Sequence, residues 1–433
     1  MSPRAVAGVT LAVLLLALGI ATVVVTPWHP LGSVPAADRV APTVSGDFTP
    51  AEVEASQQLI HRARPPGYLG LVVGLLVVLV LGLTPLGAGV VDVVARWFGG
   101  RWLPTTAVAT VLLLLVVRVA TLPFGAWSEQ VSRSAGLSTR TWGAWFLDVI
   151  KGFGINAVVT VVAVVVIVGL ARAMPTWWWA PAAVGAAVLV VVLSFVYPLV
   201  VEPVFNRFTP MPDGPLRTSL LELARQDGVA VDDVLVADAS RRTTTLNAYV
   251  SGFGSSRRIV VYDTLLQQAP DDEVRLVVAH ELGHAKRNDV LTGTLLGALG
   301  VAAGVVALGL LLSWQGLLGL AGAGGAGDPR VVALLLALVA AGSFLSGPLQ
   351  NLVSRHIEAR ADAHALDLTQ DPETFARMQR RLAVTAHSDL TPPWLAYTWF
   401  ASHPTAPERI AMARTWAKLH GQPVPGPLVE SAP

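Results

Sequence analysis

Seven long stretches of this chain are almost free of charge, and no other feature limits its possible folds so strongly. They cover residues 5–26, 67–91, 102–127, 152–171, 174–201, 290–327 and 331–354. A helix crossing a bilayer needs about 20 mostly apolar residues, and each stretch meets that need. Arg118 is the single charge inside the third. A charge at the bilayer centre costs about 3 kcal/mol or more, so Arg118 is expected to face an internal chamber or to snorkel. The sixth stretch is long enough for a helix plus the Gly-rich turn 322–327. The first exceeds the apolar core of about 7–15 residues usual in a signal peptide, so an uncleaved helix is expected.

These spans explain a charged fraction of only 14%, against about 25% in soluble domains. They imply a lipid-bilayer partner. The net charge of +1 gives no sign of a nucleic-acid partner. The absence of cysteine excludes a thiol nucleophile, a disulfide framework, a thiolate zinc site and an iron–sulfur cluster.

Seven spans put the termini on opposite sides. The loops 27–66 and 128–151 hold slightly more Arg and Lys than the loops opposite, and the Arg-rich segments 202–289 and 355–433 belong with them. The positive-inside tendency then predicts a multi-pass protein of the cell membrane, its N-terminus outside and its C-terminus in the cytoplasm. The expected organisation is a first helix and loop (1–66), helices two to five (67–201), a water-facing segment (202–289), helices six and seven (290–354) and a second water-facing segment (355–420). The Pro-rich end, 421–433, is expected to be disordered.

The chemistry sits in His280-Glu281-Leu282-Gly283-His284, an HExxH motif. Pro270 and the acidic run Asp271, Asp272 and Glu273 suit a helix N-terminus. Residues i and i+4 lie one above the other on a helix, so both imidazoles reach one ion. Glu281 is one residue along and can face a water on that ion. Zinc lowers the pKa of its water toward about 7, and a nearby carboxylate then takes the proton as the oxygen attacks a carbonyl.

A zinc site of this kind needs a third protein ligand. The extended motif would place Gly and His at 287 and 290, where Arg287 and Val290 stand. Glu358, just after the seventh stretch, is a candidate. Asp362 is one turn further on the same face and can hold the far nitrogen of a zinc-bound histidine. Asp289, His356, His364 and His403 remain rival ligands.

These residues resemble a known family, the type I CAAX prenyl proteases, which are integral-membrane zinc metalloproteases. The resemblance covers roughly residues 60–417 and keeps the family's motif order. It rests on Leu122-Pro123-Phe124 with Asp148 and Lys151, and on Phe205-Asn206-Arg207-Phe208-Thr209-Pro210 with Asp213-Gly214. It continues in Asn247-Ala248-Tyr249, Gly252-Phe253, the run from Arg258 to Leu266, the His-Glu-Leu-Gly-His motif and Glu358 with Asp362. Ser402-His403-Pro404 and Arg409 complete it. Residues 125–134 depart from the family's acidic, His-containing pattern.

The resemblance implies a mostly α membrane protein. Seven transmembrane helices would form a barrel enclosing a chamber, closed by a cytoplasmic α+β zinc metallopeptidase domain. It implies one Zn2+ held by His280, His284 and Glu358, with Glu281 as general base. It also implies that Asn247 lies beside the edge strand that holds the substrate backbone, that His403 steadies the oxyanion, and that Asp362 supports a zinc-bound histidine. Arg258–Tyr262 is rich in β-branched residues and reads as a strand, and a peptide added to such an edge gains main-chain hydrogen bonds. An imidazolium at His403 can offset negative charge. Arg409 reads as a structural ion-pair partner.

The expected function is a zinc-dependent membrane endopeptidase acting on membrane-associated proteins or peptides, lipid-modified or hydrophobic ones included. The family name comes from prenylated C-terminal tripeptides. In a bacterial chain it describes ancestry and not substrate. Three alternatives stand beside it, one of them a non-proteolytic binding or clearance protein that kept the zinc fold, against which the intact Glu281 argues. A heat-shock-type quality-control protease shares the zinc motif but has fewer spans. A transporter or channel needs several ionisable residues at mid-membrane, and here only Arg118 qualifies.

Overall fold

The computed structural model describes residues 1–252 and 257–429. Phe253 and the last four residues of the tail therefore lie outside the described residues.

All seven stretches form helices: Pro3–Val25, Pro50–Leu83, Trp102–Ser134, Trp142–Ala173, Trp179–Phe205, Asp289–Leu311 and Pro329–Thr369. Their starts follow from local chemistry. Thr49 and Glu52 form a reciprocal capping box ahead of Pro50, and the Thr141 hydroxyl accepts the amide of Ala144, so orphan N–H groups are satisfied. The stretch 67–91 breaks at Thr84, because a residue before proline is driven to extended backbone. A separate helix, Pro85–Trp97, follows. At this corner a Cβ on Gly82 would come within 2.3 Å of the Ala337 Cβ and 2.6 Å of the Ala333 carbonyl oxygen. Only glycine permits that approach of two spans.

The helices are not packed evenly. Their buried core lies at one end, where Val91, Leu113, Val168, Trp179, Val306, Leu318 and Leu334 meet. Away from that core, Arg118, Trp145 and Val149 line one cavity, and Val190, Leu193 and Tyr197 line another. The last span is 41 residues long, or about 60 Å at helical rise, twice the hydrocarbon thickness of about 30 Å. Its second half therefore leaves the membrane.

A four-stranded sheet lies outside the spans. We number its strands β1 (Phe208–Pro210), β2 (Asp233–Ala237), β3 (Ala248–Ser251) and β4 (Arg258–Tyr262). The order is β1-β2-β4-β3. β2 and β4 are parallel, while β1 and β3 pair antiparallel to their neighbours. The strand expected at Arg258–Tyr262 is present, but it is not an edge. It carries the core residues Ile259, Val260 and Val261 and lies between β2 and β3, which leaves β3 at the edge.

The two water-facing segments share one core. Leu220, Ile259, Val278 and Leu282 pack with Phe375 and Trp416. The loop after the first span joins them through the buried Asp47–Arg414 ion pair, 2.5 Å. The tail is ordered by packing as far as Val429, which corrects the expectation of disorder for 421–429. Arg414 donates to the Pro425 carbonyl at 3.0 Å, and the Val429 amide to that of Gly46 at 2.9 Å.

Candidate metal centre

The motif lies on the helix Asp271–Arg287, with acidic residues in its first turn and His284, Lys286 and Arg287 in its last, as the helix dipole favours. Asn288, left-handed at φ 53°, ends it, and the sixth span begins at Asp289. The motif is thus joined to a membrane helix without a linker. Glu358 comes from the long seventh span, which packs along the motif helix. Gly283 allows that packing, since a Cβ there would meet the His364 ring at 3.0 Å.

His280 and Glu358 are buried. The two Nε2 atoms of His280 and His284 are 3.2 Å apart. Glu358 Oε2 lies 3.2 Å from His280 Nε2, and its Oε1 lies 3.7 Å from His284 Nε2. Ligands about 2.1 Å from a tetrahedral zinc stand about 3.4 Å from one another. The donor set fits such an ion. Among the described residues this is the one cluster of its kind, its ligand atoms all within 4.8 Å of one another.

Each histidine is oriented from behind. Asp362 Oδ1 lies 2.9 Å from His280 Nδ1, and Asp289 Oδ2 lies 2.9 Å from His284 Nδ1. These carboxylates draw the ring protons to Nδ1 and turn the Nε2 lone pairs inward. Asp362 is fully buried and is itself held by Arg409, whose Nε donates to it at 2.8 Å. Asp289 is held by Arg360. Burial pulls the pKa of His284 down, but the bonds to Asp289 and Glu358 overcome it and push it up to about 10 in the metal-free site. Burial pushes the Glu281 carboxyl up, opposed by the charge of His280 and His284.

Glu281, Asn247 and His403 line one cavity of about 830 Å³ with the three donors. Leu193, Tyr197 and Pro198 of the fifth span form its membrane wall, and edge strand β3 lies along it. His403 Nε2 stands 3.3 Å from Glu358 Oε2, with its side chain exposed. The rival ligands are engaged elsewhere. His356 bonds the Leu352 carbonyl at 2.9 Å, His364 pairs with Asp227 at 3.0 Å, and Asp289 supports His284.

Sequence reasoning missed three features. Asp289 orients a ring, a role with no periodic signal because it lies beyond a left-handed residue. Tyr249 of β3 donates to Glu202 at 3.2 Å across the cavity. Glu129, in the diverged stretch, is buried and binds Arg133 at 3.1 Å, Arg140 and the Ser138 hydroxyl.

Residues 210–417 match the family model for Peptidase family M48. Residues 36–207 match the one described as CAAX prenyl protease N-terminal, five membrane helices. The uncharacterized metalloprotease YhfN of Bacillus subtilis (strain 168) is 32% identical over 333 residues, 75% of this chain and 78% of that one. The chain belongs to peptidase family M48. A CAAX prenyl protease 1 homolog of Oryza sativa subsp. japonica is 31% identical over 312 residues, 68% of this chain and 69% of that one. The crystal structure of S. mikatae Ste24p shares the fold, with a TM-score of 0.76 and 20% identity over 95% of this chain and 99% of that one. Membership makes this chain a membrane metalloendopeptidase, and a metal ion belongs to that class.

Proposed function

We propose that this chain is a zinc endopeptidase of the cell membrane that cleaves membrane-associated proteins or peptides, hydrophobic or lipid-modified ones included, on the cytoplasmic side. The observation that carries this reading is three inward-turned donors at zinc spacing beside Glu281, on a cavity bounded by both an edge strand and a membrane helix. His280, His284 and Glu358 would hold the zinc. When bound, the ion polarises the peptide carbonyl and makes water a stronger acid.

The chain's own groups do the rest. Main-chain groups of β3 take an extended substrate as an added strand, and Asn247, just before that strand, lines the same cavity as the metal donors. Glu281 accepts the proton of the attacking water and returns it to the leaving amine. His403, at the open rim beside Glu358, donates a hydrogen bond to the developing oxyanion. Asp362 and Asp289 keep both rings aimed.

Apolar cavity residues on the fifth span suit a substrate with a lipid or apolar end. The Arg and Lys distribution favours a cytoplasmic site. Replacing Glu281 with Gln should leave zinc bound, by metal analysis, and abolish cleavage of a membrane-protein substrate. Undiminished cleavage would sink the mechanism.

A further inference from the structure

Arg118 lies midway along the third span and is only half-buried, yet among the described residues nothing bonds or pairs with its side chain. Its Nε is buried without a partner. A guanidinium does not shed its proton, so a permanent charge stands uncompensated at membrane depth. It lies in the wall of a second cavity, of about 500 Å³, with Arg140, Arg242 and Asp148. The acids nearby are already engaged. Arg242 holds Asp148 with two bonds, 3.1 and 3.2 Å, and Arg140 is bound to Glu129. With Arg140 paired to Glu129 and Arg242 to Asp148, Arg118 adds the one unpaired positive charge to the lining of this cavity.

This cavity adjoins the metal centre. Tyr262, in its wall, donates its amide to the Asn247 carbonyl at 3.0 Å. The short helix Glu202–Phe205 separates the two cavities, with Glu202 facing one and Phe205 the other. A peptide pairing antiparallel to β3 leaves the metal centre past Asn247 with its C-terminal side leading. The chain leads back from there through Thr243 to Arg242, a distance an extended peptide covers in about five residues.

We propose that Arg118, with Arg242 and Arg140, forms a subsite for a carboxylate on the leaving side of the substrate, within about five residues of the cleaved bond. This rests on the peptidase function proposed above. The carboxylate has two sources, a free C-terminus or an Asp or Glu side chain. A charge pair in such a low-dielectric site discriminates strongly against neutral partners.

The test uses the full-length, zinc-loaded protein in nanodiscs. Three fluorogenic peptides share one neutral sequence with four residues after the cleaved bond. They end as the free acid, as the amide, or as the amide with Asp at the last position. Wild type should cleave the free acid, the Asp peptide or both with kcat/KM about 10- to 100-fold above the plain amide, mainly through KM. Which of the two gains identifies the source. Arg118→Gln should bring all three to the same rate, and Arg118→Lys should restore part of the preference. Equal rates for all three with wild type, or a preference that survives Arg118→Gln, would overturn the subsite and leave the peptidase standing. Cleavage of none would overturn both.

Discussion

Asp362→Asn separates what the buried carboxylate would do for the proposed zinc site from what it does for the fold. Asp362 is 0% exposed. Its oxygens take His280 Nδ1 at 2.9 Å and two donors of Arg409. Asparagine keeps the outline but has one acceptor oxygen, so its amide group faces a donor. The Arg409 side chain, 13% exposed, is left without its counter-charge. Breaking such a buried pair costs about 3–5 kcal/mol. Loss of the carboxylate behind a metal-bound histidine costs about 10- to 100-fold in metal affinity. Asp289→Asn is the control. It removes the same support from His284, but Arg360 is 23% exposed and can turn to water, so the stability loss should be about 1 kcal/mol. Thermal unfolding of the metal-free proteins and zinc titration against a competing chelator read the two effects. Both variants should lose zinc affinity, and only Asp362→Asn should lose much stability. Wild-type melting and affinity in Asp362→Asn would refute the reasoning, as would a larger melting loss in Asp289→Asn.

Two further predictions concern the frame around the site. Asp227 bonds Lys286 at 2.6 Å and His364 at 3.0 Å; burial raises its pKa, but these two partners outweigh it and hold the carboxyl below its ordinary value. A depressed carboxyl stabilises the fold above its unfolded pKa of about 4 and loses that contribution as pH falls through the lower folded value. The melting difference between wild type and Asp227→Asn should therefore be full near neutrality and shrink below that unfolded value; a difference that grows in acid would contradict the pairing. Gly283→Ala places a methyl 3.0–3.2 Å from the His364 side chain and should cost about 1–3 kcal/mol in unfolding measurements, whereas an unchanged melt would mean the two helices can part.

The match between sequence and structure depends on how far apart the interacting residues lie. His280 and His284 share a helix at i,i+4, so their convergence follows from local geometry. Glu358 is 78 residues from His280, and its local pattern equally suits a surface ion pair. Thr84-Pro85 contains its own break signal, yet the apolar run continues through it, and hydropathy alone does not show the corner. The strand at Arg258–Tyr262 was legible from its β-branched residues, but its place inside the sheet was not.

By itself the sequence determined the seven spans, the two rings on one helix face and the nitrogen-and-oxygen character of any zinc site, because composition and short periodicities decide these. Only the tertiary structure decided which carboxylate meets the rings, which strand is the edge and which cavity receives Arg118. Those outcomes depend on helices that pack over long sequence separations. No local pattern records such contacts, and their energy appears only when the chain has closed on itself.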